Sequence, residues 1–159
     1  MTKLIWITIH SAINLSRKEE ITAGGAMDLV SDSFGRIVDN LHDGLYFVDP
    51  DRIILFWNKA AEKISGFTAE EVVGKPCSAN ILTHVDADGN QLCLGLCPLA
   101  ASMADRQPRE AEVYMHHKDG HRIPVSVRVS ALTDAEGNVI GGIELFSDIT
   151  NLRMHYKTT

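Results

Sequence analysis

Cys77, His84, Cys93 and Cys97 fall within 21 residues at the spacing C-x6-H-x8-C-x3-C. Thiolate and imidazole together suit zinc, iron or an iron–sulfur cluster, and four such ligands complete a tetrahedral site. Cys97 directly precedes Pro98, a residue suited to the first turn of a helix, where the helix dipole favours a thiolate. Three readings stay open: thiols packed as small hydrophobes, a metal or cluster site, and redox switching through a disulfide. The spacing is not that of a zinc finger, which uses closer pairs. The run Asp86-Ala87-Asp88-Gly89-Asn90 resembles part of a calcium loop, but Cys97 stands where the bidentate Glu belongs, so it reads as a plain turn. His116, His117 and His121 flank a second turn. Adjacent strand residues point to opposite faces, which favours exposed hairpin histidines over a three-histidine metal site. The chain holds no Cys-x-x-Cys and no evident nucleophile–base–orienter set, so catalysis is not expected.

These groups need a scaffold, and the chain has length for one core. It has 159 residues, 45% of them hydrophobic and 23% charged. A net charge of −6 without a basic stripe argues against nucleic acid as a partner. An odd cysteine count fits a disulfide framework badly, and no secretory signal is evident, so free thiols in a reducing cytoplasm are expected. The apolar run Leu4 to Ile9 is far short of the roughly 18 residues that span a bilayer. Residues 1–26 look foreign to the rest, either overrun ahead of a start at Met27 or an N-terminal element that packs on a partner.

From Met27 to Leu41 the residues Leu29, Val30, Phe34, Ile37, Val38 and Leu41 recur at helical spacing. His42-Asp43-Gly44 breaks the helix, with Gly44 free to take a positive φ. Strands over Leu45–Val48 and Ile53–Trp57 form a hairpin, Asn58 caps a helix that Gly66 ends, and Thr68 with Glu71 forms a capping box. A helix over Leu99–Asp105 follows the cysteine segment. Three strands close the chain: 110–117, 122–131 and 139–147. In the middle one Ile123, Val125, Val127, Val129 and Ala131 share one face. The result is one antiparallel sheet buried under short helices.

Residues 37–150 resemble a PAS domain, the sensory module of bacterial signalling proteins. The matching pieces are Asp43-Gly44, Trp57-Asn58 with Ala60-Ala61-Glu62, Gly66-Phe67 with Thr68-Ala69-Glu70-Glu71, Gly74-Lys75, Lys118-Asp119-Gly120, Gly137 with Gly141-Gly142, and the closing Asp148-Ile149-Thr150. The resemblance implies an α+β fold: a five-stranded antiparallel sheet covered on one face by short helices, with the helix of residues 27–42 flanking it. The sensory domain would span 43–150, and 151–159 would begin a linker to an effector such as a histidine kinase or diguanylate cyclase. It also implies a homodimer through the N-terminal helix and the outer sheet face, and a relay through Asp148 and Thr150.

Short helices over a sheet leave room for a small ligand. Inward candidates for a pocket are Phe47, Ile81, Leu99, Met103, Val113, Met115, Val127, Ile143 and Leu145. The metal or redox candidates are Cys77, His84, Cys93 and Cys97. Haem and flavin rank below a metal or cluster. The stretch 98–108 lacks the histidine that some haem-binding relatives use, and Cys77-Ser78-Ala79-Asn80 is not the photoreceptor cysteine run. The expected function is sensory input, through a ligand, a cofactor or redox state. The alternatives are a ligand-free dimerisation and relay module and a thiol-based metal or iron–sulfur sensor.

Overall fold

A computed structural model describes residues 33–156. The segment 1–26 and the first part of the helix expected from Met27 lie outside the described residues. Residues 33–39 are helical. Then follow β1 (Gly44–Val48), β2 (Ile54–Trp57), α1 (Lys59–Ser65), α2 (Ala69–Val72), a 3-10 turn (Leu92–Leu94), α3 (Pro98–Asp105), β3 (Arg109–His116), β4 (Arg122–Thr133), β5 (Val139–Asp148) and α4 (Thr150–Tyr156). The five strands form one antiparallel sheet in the order β2-β1-β5-β4-β3, so the first hairpin and the last strand meet at its centre.

Local chemistry sets the boundaries. Asn58 is fully buried, and its Oδ1 accepts from Ala61 N at 2.8 Å, capping α1, and from Leu45 N at 2.9 Å on β1. Its Nδ2 donates to the carbonyls of Val38 (2.9 Å) and Asp43 (3.1 Å), which fixes the chain entering the sheet. Gly66 ends α1 in the left-handed region at φ 79°. Glu71 accepts from Thr68 N at 2.8 Å, closing the capping box. Asp86 and Asp134 build matching turns: each carboxylate accepts from the amide two residues on, the amide four residues on, and that asparagine's side chain. The calcium-like run is thus a self-contained turn.

Gly44 differs from its expectation. It lies within β1, and a Cβ there would strike the Phe146 ring, so it is required for space rather than for a positive φ. That ring joins Tyr46 and Trp57 in an aromatic cluster with centroids 5.5–6.3 Å apart. Burial of a side chain such as Phe146 contributes about 1.5–3 kcal/mol.

Register decides which side chains face the helices. Tyr46 pairs with Trp57 and Glu144, Val127 pairs with Phe146 and Ala111, and Val125 with Val113. All these point inward, as do Ile123 and Val129 on β4, as expected. Phe47 pairs instead with Phe56 and Ile143, and Leu145 with Leu45 and Arg128. Phe47, Ile143 and Leu145 therefore face away from the helices and do not line the interior. The expectation failed because β5 carries apolar residues on its outer face and places Glu144 on its inner one. Phe34 stacks on Phe47 at 6.4 Å across that outer face, and Val38 is buried, while Phe34, Ile37 and Leu41 remain exposed.

Candidate functional site

The inner face of β5 reads Gly142, Glu144, Phe146. A Cβ on Gly142 would lie 2.7 Å from Leu99 and 3.1 Å from the Met103 sulfur, so α3 sits directly on the strand there. Of the apolar pocket candidates, Ile81, Leu99, Val113, Met115 and Val127 are buried in one contiguous core, and Met103 packs against it. A groove of about 570 Å³ opens along α3, lined by Arg52, Cys93, Leu94, Cys97, Met103 and Val139 among others.

Glu144 is 2% exposed, between its strand neighbours Tyr46 and Val129. His84 reaches the same interior from the long segment after α2. Val85 bridges to Tyr114 on β3, and the His84 carbonyl accepts from Leu92 N at 2.9 Å, so both sides of the residue are anchored. Its ring is buried, and its Nε2 lies 3.6 Å from Glu144 Oε1. That is too long for a hydrogen bond, and neither atom has another partner. Burial pushes the Glu144 carboxyl up to about 8, opposed by the Tyr46 hydroxyl bonded to it. Burial, aided by the Arg122 charge, lowers His84 to about 4. Near pH 7 both groups are neutral, so the contact is not an ion pair.

The thiols surround this pair. Burial, then Cys97, Cys93 and Glu144 as neighbours, raises Cys77 to about 12. Cys93 is also raised by burial, offset by a hydrogen bond from the His84 backbone. Cys97 is buried at the N-cap of α3 and makes no capping bond with its side chain. Tyr46 is held well above its ordinary value by burial, then by Glu144 and Cys77. All three cysteines are free. They share a neighbourhood with His84, yet no three ligand atoms of this set lie within 4.8 Å of one another. Among the described residues, the group that meets this distance is His117, Asp119 and His121 in the β3–β4 turn. His116 turns away, its ring 6.1 Å from Phe67.

Glu144 and Tyr46 escaped the sequence reading. The signal for Glu144 was the two-residue period that ties it to Phe146 and Gly142, an aromatic and a small residue on one face. Four residues beyond it, Asp148 Oδ1 accepts from Thr150 N (2.8 Å) and Thr150 Oγ1 (2.5 Å), starting α4. Arg153 of α4 donates to the Tyr114 hydroxyl and to Glu112 (2.6 Å) and lies over the Tyr114 ring. Tyr114 is also the residue that holds Val85, next to His84.

The sequence profile of a family described as PAS domain matches residues 42–151. The chain is 28% identical over 116 residues to the probable diguanylate cyclase DgcE of Escherichia coli, and 29% identical over 115 residues to its signal transduction histidine-protein kinase AtoS. The aligned regions cover 73% and 72% of this chain but 10% and 17% of those proteins, so the chain spans a small part of their length. Among solved structures, the PAS domain of a Colwellia psychrerythraea protein aligns with a TM-score of 0.64 at 20% identity. It covers 77% of this chain and 98% of that one. No helix among the described residues is long and apolar enough to cross a membrane.

Proposed function

Because this chain belongs to the PAS domain family, we propose that it is the sensory input of a signalling protein and that its sensing element is the polar cluster of Glu144, His84 and Tyr46, bordered by the three thiols. The facing pair Glu144 Oε1 and His84 Nε2 carries this reading, since both atoms are buried and unpartnered. A buried polar group left unsatisfied costs about 1–3 kcal/mol. A core built only for packing would use apolar residues there. A small ligand that both accepts from the protonated carboxyl and donates to the imidazole would recover that cost.

Two connections lead outward. Glu144 shares β5 with Asp148, whose carboxylate starts α4 at Thr150. His84 is coupled through Val85 and Tyr114 to Arg153 on α4. A ligand that favours one spacing of Glu144 and His84 would bias how α4 docks, and only such a difference in affinity transmits a signal. An effector beyond α4, of the kinase or cyclase kind, would receive it. The exposed apolar residues Phe34, Ile37 and Leu41 beside the outer sheet face support pairing of two copies.

A second reading takes the thiols as ligands for a thiophilic metal or cluster, with His84. It is favoured by the groove, whose lining includes the half-buried Cys93 and the buried Cys97. A thiol raised to about 12 leaves roughly one part in 10⁵ as thiolate near neutral pH, which disfavours spontaneous disulfide chemistry. A metal ion would displace those protons directly.

The test is the output of the signalling protein that carries this domain, measured with Glu144→Leu, His84→Leu and a surface control, Glu136→Ala. Loss of stimulus response in the first two, with the control intact, supports the proposal. An unchanged response in both leaves a ligand-free relay. Absorption and metal analysis of protein purified without oxygen separates the small-ligand reading from the metal one.

A further inference from the structure

The β3–β4 turn brings His117, Asp119 and His121 together, while His116 stays apart as strand alternation requires. His117 and His121 flank Lys118-Asp119-Gly120, and their backbones are joined by a bond from His117 N to the His121 carbonyl of 2.9 Å. Their rings stack with centroids 4.4 Å apart and planes 19° from parallel. Both Nδ1 atoms turn to one carboxylate oxygen: His117 Nδ1 lies 2.8 Å from Asp119 Oδ1, and His121 Nδ1 contacts the same atom. The opposite nitrogen of His117 rests against α1, since a Cβ on Gly66 would meet His117 Nε2 at 2.9 Å. Nδ1 is thus the face open to a ligand. The turn itself is docked, with Lys118 N donating to the Ser65 carbonyl at 2.9 Å and Lys118 paired with Glu71.

We propose that this turn binds a divalent transition-metal cation of the zinc, nickel or copper class through His117 Nδ1, Asp119 Oδ1 and His121 Nδ1. Two imidazoles and one carboxylate are the donor set such borderline ions select, and three protein ligands leave a coordination position open. One ion would draw on both Nδ1 lone pairs and the Asp119 oxygen at once, the three donors separating to the roughly 3 Å that metal bonds of about 2.0–2.1 Å require. The bond from Asp119 N to His117 Nδ1, at 3.1 Å, is the contact the ion must displace. The site shares no ligand with the thiol set and lies at the tip of the hairpin, against the α1–α2 corner.

The experiment is calorimetric titration of the metal-stripped full chain with Ni²⁺ or Zn²⁺ alone, alongside His121→Ala and Asp119→Asn. Circular dichroism verifies that both variants stay folded. Binding of one equivalent, weakened about tenfold or more by either substitution, bears the proposal out. Loading with Co²⁺ identifies the donors. Ligand-field bands without sulfur-to-cobalt charge transfer agree with the turn, whereas strong charge transfer assigns the ion to the cysteines and overturns the proposal. Absence of binding, or binding indifferent to His121→Ala, overturns it equally.

Discussion

Glu144 meets His84 inside the domain and Asp119 meets His117 and His121 on its surface, the same functional groups in two settings. Inside, removal from water drives each partner to its neutral form, the acid up to about 8 and the base down to about 4. Outside, Asp119 feels some desolvation too, but hydrogen bonding from the His121 amide and the close contacts with the His121 and His117 rings outweigh it and hold the carboxyl below its ordinary value. Solvent rather than residue type decides whether a carboxyl beside an imidazole keeps its charge. The buried pair can therefore exchange hydrogen bonds with a neutral ligand, while the surface group offers charge to a cation.

The largest expected effect is the response of stability to pH. Glu144 binds its proton more tightly folded than unfolded, so its contribution is full below about 4.5 and is lost as pH rises toward 8. His84 acts in the opposite sense: its folded value is depressed, so stability falls as pH drops from 6.5 toward 4. Between about 4.5 and 6.5 the two slopes cancel. Above 6.5 only Glu144 titrates, and the protein should lose on the order of 2 kcal/mol by pH 8. Urea unfolding of metal-free protein at pH 6.5 and 8 measures this, and Glu144→Gln should flatten it. A wild-type slope that Glu144→Gln leaves unchanged would assign the titration to another group.

Next in size is the double variant His84→Leu/Glu144→Leu. Replacing a buried polar pair by apolar residues should raise stability at pH 8 by about 1–2 kcal/mol while abolishing the stimulus response. A destabilised double variant would mean that the pair supports the fold. Arg153→Ala should speed amide exchange across Thr150–Tyr156 by at most about fivefold, the range open to an exposed ion pair. No change there would detach Tyr114 from the relay. Smallest is Asp119→Asn in metal-free protein, for which the melting temperature should stay within error of wild type.

Sequence patterns carried the sheet well because β4 alternates Ile123, Val125, Val127 and Val129 against polar neighbours, leaving one choice of face. Helix ends were equally legible at Asn58, Gly66 and Thr68, where one side chain or one left-handed residue settles the boundary. β5 was ambiguous because both of its faces are covered in part by apolar groups. Alternation alone assigns Ile143 and Leu145 to the core and Glu144 to water. The reverse holds because Phe34, Val38 and Phe47 build an apolar layer behind the sheet. The cysteine–histidine spacing pointed to a shared neighbourhood but could not supply distances, since those depend on how the 77–97 segment crosses β3 at Val85. At the hairpin the alternation set His116 apart from its neighbour, but it could not supply the ring stack of His117 on His121 or the place of Asp119 between them, since both come from the turn's own geometry.

Asn58 has a consequence of its own. Its amide is a clasp with two unlike ends: the oxygen gathers the amides of Leu45 and Ala61, and the nitrogen grips the carbonyls of Val38 and Asp43. Exchanging the nitrogen for a second oxygen, as aspartate does, spares the first grip and turns the second into repulsion. Asn58→Asp would thus unfasten the entering chain while the sheet and α1 stay joined, which makes this one amide the point where the two attachments can be told apart.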